Sequence, residues 1–157
     1  MPDRWPAKVI TVSDSAVAGE REDKSGPALV ARLGEAGYDV VDHLVVADGD
    51  EPVTAALLAA TEGFAGLVVT TGGTGFGPRD RTPEATRAVL ERDAPGIAEA
   101  MRLVNPLGRL SRAVAGTRGE ALICNVPGST AGSVECIEAV LDIVPHALAL
   151  LSGEWPH

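Results

Sequence analysis

A glycine-rich segment that is followed by charged residues is the feature of this sequence that points most directly to chemistry. It starts at the end of an apolar run and precedes Asp80. Glycines in such a position let backbone N–H groups turn toward an anion, and the start of a following helix adds positive potential. The segment lacks the Gly-Lys-Ser/Thr of a Walker loop and the glycine spacing of a Rossmann loop. We therefore predict a phosphate-binding loop of another type, formed by Thr71, Gly72, Gly73, Thr74 and Gly75.

A second candidate anion site follows another apolar run, where the chain contains Asn125, Pro127, Gly128 and Ser129. Proline and glycine interrupt the run, and Ser129 is a residue type that caps helix starts. Alone, this pattern also fits an ordinary capped turn. Together with the glycine-rich loop it predicts two anion sites at one edge of a sheet, which two phosphorylated ligands would use.

Acidic side chains follow the same predicted strands, and they would repel phosphates unless a cation lies between them. Ser13 and Asp14 come after the first strand, Asp48 after the second, and Asp80 after the glycine-rich loop. Proteins hold Mg²⁺ with one or two carboxylates plus phosphate oxygens. We therefore predict that Asp48 and Asp80 bind a magnesium–nucleotide complex. A solvated loop aspartate is the alternative for Asp48.

Other polar residues give weaker signals. Ser111 could donate to a ligand and Arg112 could pair with a phosphate, but the same residues also fit a surface turn. His43, His146 and His157 have no ligand spacing and no nearby nucleophile, so we expect surface or packing roles for them. No serine has the sequence context of a nucleophile elbow.

The elements that must position these residues alternate between two kinds of segment. Short runs rich in β-branched residues predict strands buried on both faces, and longer segments with helical spacing predict helices. This alternation favours a single α/β domain over residues 1–157, with three α/β/α layers and a mostly parallel sheet, and with ligands at the carboxyl ends of the strands. The predicted strands are 8–12, 40–46, 66–70, 113–117 and 121–125, and the predicted helices are 27–36, 52–61, 130–140, 145–151 and one that Thr82 caps.

Composition excludes several classes of partner. The 13 basic and 22 acidic residues give a formal charge of −9, which argues against nucleic acid and against anionic membranes. The sequence lacks both an apolar run of about 18 residues and a signal core. Cys124 and Cys136 have no metal-ligand spacing, and two reduced, packed cysteines fit a cytoplasmic protein. A disulfide or redox pair is the alternative.

In their order along the chain, the motifs resemble the Mog/MoaB family of molybdenum-cofactor biosynthesis proteins. This family shares a molybdopterin-binding domain with gephyrin and with plant Cnx G domains. The resemblance covers about residues 8–153. The matching segments are Ser13-Asp14, 23–27, 46–48, 70–75, 80–84, 95–96 with 101–102, 110–112 and 125–129.

The resemblance implies a three-layer domain that forms homotrimers. It also implies a molybdopterin adenylyltransferase, which converts ATP and molybdopterin into adenylyl-molybdopterin and pyrophosphate with Mg²⁺. The two essential aspartates of the family correspond to Asp48 and Asp80. Its pterin-phosphate loop corresponds to residues 71–75 and its Asn-x-Pro-Gly loop to residues 125–129. Further positions that match the lining of the same cleft are Ser13, Asp14, Asp23 and Ser111.

The chemistry that this resemblance implies is nucleotidyl transfer, in which the molybdopterin phosphate attacks the α-phosphorus of ATP. That nucleophile is already ionised at neutral pH and needs no general base, which fits a sequence without a catalytic histidine. Arg79 or Arg112 could help to hold phosphates. Two alternatives stay open: a non-catalytic molybdopterin-binding or carrier protein, and a nucleotide-binding regulator.

Overall fold

The centre of the molecule is a six-stranded sheet in the order β2-β1-β3-β6-β5-β4. The computed structural model describes residues 2–154, so the prediction for His157 lies outside the described part of the chain. β2, β1, β3 and β6 run parallel, whereas β5 and β4 pair antiparallel at one side. The strands are β1 (Pro6–Val12), β2 (Asp39–Val46), β3 (Leu67–Thr71), β4 (Arg92–Asp93), β5 (Ala115–Arg118) and β6 (Ala121–Val126).

Helices cover both faces of this sheet and give it two separate apolar cores. One core joins alternate residues of the central strands, such as Val9 and Val69, to α2, α5, α6 and α7. The other joins the intervening residues, such as Ile10 and Val68, to α3 and α4. Here α1 is Asp14–Val17, α2 Ser25–Glu35, α3 Asp50–Thr61, α4 Thr82–Val89, α5 Pro95–Arg102, α6 Thr130–Glu138 and α7 Val144–Leu151, with a 3₁₀ helix at Pro106–Leu110.

This architecture confirms the predicted α/β class, the three layers and the mostly parallel sheet. Because successive strand residues point to opposite faces, a central strand that helices cover must be buried, and therefore mostly apolar, on both faces. β3 and β6 meet that condition, since all of their residues are buried. No described helix has the length and apolar character needed to cross a membrane.

Three local predictions are corrected. β2 is not buried on both faces, because it lies at the edge of the sheet, and Val41 and Val45 are 53% and 41% exposed. Thr82 is the first residue of α4 rather than its cap, which is Arg81. The Thr82 backbone N–H donates to the Gly73 carbonyl oxygen at 3.1 Å, which ties the helix start to the glycine-rich loop. The strand predicted over 113–117 is shifted to β5.

The register brings the carboxyl ends of the central strands to one level. Thr11 at the end of β1 pairs with Thr71 at the end of β3, and Thr71 pairs with Val126 at the end of β6. Val12 pairs with Val46 in the same way. The loops that follow these four strands therefore meet at a single edge of the sheet.

Candidate active site

Two cavities lie at this edge and share one wall. The first, of about 610 Å³, is lined by the predicted residues Ser13, Asp14, Asp23, Asp48, Thr71, Gly72, Gly73, Asp80, Gly128 and Ser129. The second, of about 630 Å³, is lined by Gly73, Thr74, Gly75, Asp80, Ser111, Asn125, Pro127, Gly128 and Ser129. The shared wall consists of the four residues that line both cavities, namely Gly73, Asp80, Gly128 and Ser129. The sheet topology thus brings together residues that are more than 100 positions apart.

The glycine-rich loop has a backbone that only glycine accommodates. Gly72 and Gly73 have φ angles of 105° and 69°. A Cβ on Gly72 would lie 2.2 Å from the Val12 carbonyl oxygen, and one on Gly73 would lie 2.3 Å from the Thr82 hydroxyl. The loop can therefore pack directly against the end of β1 and the start of α4, which leaves its other side to the cavities.

Asp48 and Asp14, which both line the first cavity, are joined by two hydrogen bonds. The Asp14 backbone N–H donates to Asp48 Oδ2 at 2.9 Å, and the Asp48 N–H donates to Asp14 Oδ1 at 3.1 Å. Burial raises the pKa of the Asp48 carboxyl, and the nearby carboxylates of Asp14 and Asp80 raise it further. Ionisation of Asp48 is therefore less favourable in the folded protein than in the unfolded chain, and a bound cation would offset this cost.

Asp80 and Asp48 have the oxygens that such a cation would use. Asp80 Oδ2 accepts the Gly77 N–H at 2.9 Å, and Asp48 Oδ2 accepts that of Asp14. Within residues 2–154, no hydrogen bond reaches the Oδ1 atom of either aspartate, and no cluster of three or more His, Cys, Asp or Glu forms a metal cage. Two carboxylates completed by phosphate oxygens suit Mg²⁺ better than a cage does. The residues present therefore fit a magnesium ion.

We expect Asp48→Asn to stabilise the protein in the absence of ligands. Because the folded-state pKa of Asp48 is raised, the folded protein binds its proton more tightly than the unfolded chain does. The contribution of Asp48 to the free energy of unfolding then falls as pH rises above 3.8, the ordinary pKa, and through the raised value. Asparagine removes this cost and still accepts the Asp14 N–H.

Thermal unfolding across a pH series checks this prediction. The variant should have a higher melting temperature than the wild type at pH 7 without Mg²⁺ or nucleotide. The difference should shrink as the pH falls toward the ordinary pKa of aspartate, since the wild-type carboxyl is then also neutral. A lower melting temperature at pH 7 would contradict the electrostatic role.

Arg79 connects the loop after Gly75 to the ends of β1 and β2. Its Nε lies 3.0 Å from Asp14 Oδ2, and its Nη2 donates to the Asp48 carbonyl oxygen at 2.8 Å. The guanidinium lowers the pKa of Asp14, which is therefore ionised at neutral pH. In this structure Arg79 binds Asp14 and Asp48, two residues that line the first cavity.

Arg112 stabilises the glycine-rich loop from a position outside the lining of both cavities. Its guanidinium donates to the Gly75 carbonyl oxygen at 2.7 Å, to the Asp80 carbonyl oxygen at 2.7 Å and to Glu84 Oε2 at 2.6 Å. The hydrogen bond from Arg112 to Glu84 lowers the pKa of the Glu84 carboxyl. The structure therefore directs these donors to protein acceptors, and Arg112 is the predicted site residue that lines neither cavity.

Asn125 and Thr71 tie the two predicted anion loops to the fold. Asn125 is fully buried, and its amide group donates to the hydroxyls of Thr70 and Thr86 at 2.9 and 3.0 Å. Its Oδ1 accepts the Val114 N–H at 3.1 Å. Thr71 Oγ1 donates to the Pro127 carbonyl oxygen at 2.8 Å, which links one loop to the other. Both side chains position the loops.

His43 lies in a polar cluster that its position in the sequence did not indicate. Its Nε2 lies 3.1 Å from Asp23 Oδ2 and 3.0 Å from Thr11 Oγ1. Asp23 and Thr11 line the first cavity. Because 20 residues separate His43 from Asp23, only the pairing of β2 beside β1 could have revealed the contact.

Comparison with known proteins extends these observations. A family model described as a probable molybdopterin binding domain matches residues 8–146. The molybdopterin adenylyltransferase of Helicobacter pylori strain J99 is 38% identical over 154 aligned residues, which cover 94% of this chain and 88% of the relative.

Solved structures agree with the sequence relatives. The molybdopterin biosynthesis enzyme MoaB from Thermus thermophilus superposes with a TM-score of 0.88 at 45% identity, covering 96% of this chain and 98% of that one. The molybdopterin biosynthesis Mog protein from Mycobacterium ulcerans has a TM-score of 0.87 at 40% identity, with 94% and 99% covered. The match extends over both cavities and confirms the resemblance drawn from the motifs. This chain therefore belongs to the family of molybdopterin-binding domains that includes the Mog and MoaB proteins.

Proposed function

We propose that this protein is a molybdopterin adenylyltransferase of molybdenum-cofactor biosynthesis. The observation that carries the proposal is the wall shared by the two cavities, where the glycine-rich loop and Asp80 face both. A transferase must hold two substrates with their reacting groups side by side. Relatives at 38% identity over most of the chain have this name, and they support the same activity here.

ATP and molybdopterin are the two substrates, one for each cavity. Both are anionic and the protein has a formal charge of −9, so its net field cannot attract them. Local donors must do so instead. Backbone N–H groups of residues 73–75 and the loop at Ser129 are the candidates, because Gly73 and Ser129 lie at the shared wall. The Gly72 N–H donates instead to the Val126 carbonyl oxygen at 3.1 Å.

Asp48 and Asp80 both line the first cavity and would hold the magnesium ion of the nucleotide with the carboxylate oxygens that accept no hydrogen bond within residues 2–154. A bound Mg²⁺ offsets the charge of the triphosphate and of the departing pyrophosphate. The raised pKa of Asp48 fits this role, because a bound cation offsets both the burial and the repulsion by Asp14 and Asp80 that raise it. Arg79 pairs with the Asp14 side chain, whereas the side chains of Asp48 and Asp80 have no ion pair within residues 2–154.

The reaction needs alignment more than proton transfer. A phosphate oxygen of molybdopterin forms a bond to the α-phosphorus of ATP as the bond to pyrophosphate breaks, and no proton must leave the nucleophile. The rate then depends on holding both phosphates in line. Arg112 and Asn125 contribute by fixing the loops that border the shared wall.

A non-catalytic molybdopterin-binding protein is the alternative function, and MoaB proteins stand beside Mog proteins among the solved relatives. Pyrophosphate release distinguishes the two. Purified protein with Mg-ATP should release pyrophosphate only after molybdopterin is added. Molybdopterin binding without any pyrophosphate would favour the carrier.

We further propose a homotrimer that works in the cytoplasm. The exposed apolar side chains of Val41, Leu44 and Val45 on the edge strand β2 support an interface between copies. Cys124 and Cys136 are both free, as expected in a reducing compartment.

Sedimentation equilibrium should give a mass three times the 16.1 kDa of one chain, and Val41→Lys on the exposed face of β2 should lower this measured mass. A monomer mass for the wild type would contradict the trimer.

A further inference from the structure

Three polar side-chain atoms meet above Gly26, at the wall of the first cavity. Thr11 Oγ1 lies 2.9 Å from Asp23 Oδ2 and 3.0 Å from His43 Nε2, and the latter two atoms are 3.1 Å apart. We call Thr11, Asp23 and His43 the polar triangle. A Cβ on Gly26 would lie within 2.5 Å of all three atoms, so the triangle requires glycine beneath it.

The polar triangle needs a proton on His43 Nε2. A carboxylate oxygen only accepts hydrogen bonds, so an unprotonated Nε2 at 3.1 Å from Asp23 would place two acceptors against each other. With Nε2–H and the Thr11 hydroxyl as donors, Asp23 Oδ2 is satisfied. Asp23 Oδ1 accepts the Gly26 N–H at 3.0 Å. Both oxygens of this carboxylate therefore bind protein groups.

The polar triangle anchors the segment that closes one side of the first cavity. Residues 18–24 connect α1 to α2, and Asp23 fastens this segment to β1 through Thr11 and to β2 through His43. Arg21 and Lys24, on either side of this anchor, both line the cavity.

Arg21 and Lys24 are the two cations that line the first cavity, and their side chains have no ion pair or hydrogen bond within residues 2–154. Arg79 and Arg112, by contrast, bind protein acceptors. The other charged groups of the lining are carboxylates, namely Asp14, Glu22, Asp23, Asp48 and Asp80. Unpaired cations in an acidic cavity are suited to an anionic ligand that arrives with its own metal ion.

We propose that the polar triangle positions Arg21 and Lys24 to bind the polyphosphate of the nucleotide. Lys24 and Arg21 are then binding residues, and His43 is a positioning residue that acts through Asp23. The inference rests on the proposed function, since it assigns the first cavity to ATP. The two cations would add affinity for ATP that the glycine-rich loop and the magnesium ligands do not supply.

Calorimetric titration of the protein with Mg-ATP, with pyrophosphate and Mg²⁺, and with adenosine tests the binding residues. Lys24→Gln and Arg21→Gln should each weaken ATP and pyrophosphate binding about tenfold, as the loss of a charge-assisted hydrogen bond does, and leave adenosine unchanged. Arg87→Gln is the matched control, because Arg87 is exposed on α4 and lines neither cavity. It should bind ATP as the wild type does.

His43 variants test the positioning role. His43→Phe should weaken ATP binding by a similar factor, and His43→Gln should restore most of it, since the glutamine amide can donate to Asp23. In the His43→Phe background, Lys24→Gln should cause less than about a twofold further loss, because the two changes act on one interaction. A general structural defect in His43→Phe would instead weaken adenosine binding as well, and His43→Gln would show the same defect.

The outcomes separate this inference from the proposed function. Wild-type protein that binds Mg-ATP, with Lys24→Gln and Arg21→Gln binding equally well, overturns the inference alone. Equal losses in His43→Phe and His43→Gln overturn the polar triangle as the positioning device. A wild type that binds neither Mg-ATP nor pyrophosphate overturns the proposed function and the inference together.

Discussion

Asp80→Asn should leave the fold intact and reduce adenylyl transfer at least about 100-fold, the effect of losing about 3 kcal/mol of transition-state stabilisation. The amide oxygen of asparagine can still accept the Gly77 N–H that Asp80 Oδ2 accepts at 2.9 Å. The loop therefore keeps its shape, whereas the charge that would hold Mg²⁺ at the shared wall is lost.

Steady-state rates and circular dichroism check this prediction on one preparation. Asp50→Asn is the matched control, because Asp50 is an exposed aspartate at the start of α3 that pairs with Arg81 and lines neither cavity. The control should keep its rate within about twofold, as substitutions away from a site usually do. Full activity in Asp80→Asn would remove Asp80 from the metal site.

Gly72→Ala should lower the free energy of unfolding by at least about 2 kcal/mol, since alanine is strained at a φ of 105°. Its Cβ would also lie 2.2 Å from the Val12 carbonyl oxygen, and this neighbour is backbone that cannot rotate away. The loop must then move off β1, so phosphate binding should fall with stability.

Urea denaturation measures this effect, and a second glycine gives a control of opposite sign. Gly34 lies inside α2, and a Cβ there would meet nothing within 4 Å. Gly34→Ala should therefore raise the free energy of unfolding by about 0.5–1 kcal/mol. If Gly72→Ala were as stable as the wild type, the close approach of the loop to β1 would be wrong.

Patterns with a single physical cause were predictable from the sequence. β3 and β6 lie under helices on both faces, so most of their residues had to be apolar, and these apolar runs were visible in the sequence. The glycine-rich loop was visible for a similar reason, because a positive φ and a close backbone approach both select glycine. Short elements without such a pattern were not predicted, including the two-residue strand β4, which exists only through its pairing with β5.

The partners of the polar side chains could not be predicted, because they depend on which strands become neighbours. His43 gave no signal in the sequence, yet the β1–β2 pairing places it against Thr11 and Asp23. Arg112 was a candidate phosphate ligand, but the chain folds Gly75 and Asp80 around its guanidinium. Residue types thus indicated the edge of the sheet where the chemistry lies, and the tertiary structure determined which groups face the ligand.

Transfer of a radioactive label tests the central proposal most directly. Purified protein is incubated with molybdopterin, Mg²⁺ and ATP labelled at the α-phosphate, and the products are separated by chromatography. We predict that the label moves to molybdopterin as adenylyl-molybdopterin, with one pyrophosphate released for each transfer, and that no label moves in the presence of a chelator. Protein that binds molybdopterin and Mg-ATP but leaves all of the label on ATP would contradict the proposed activity.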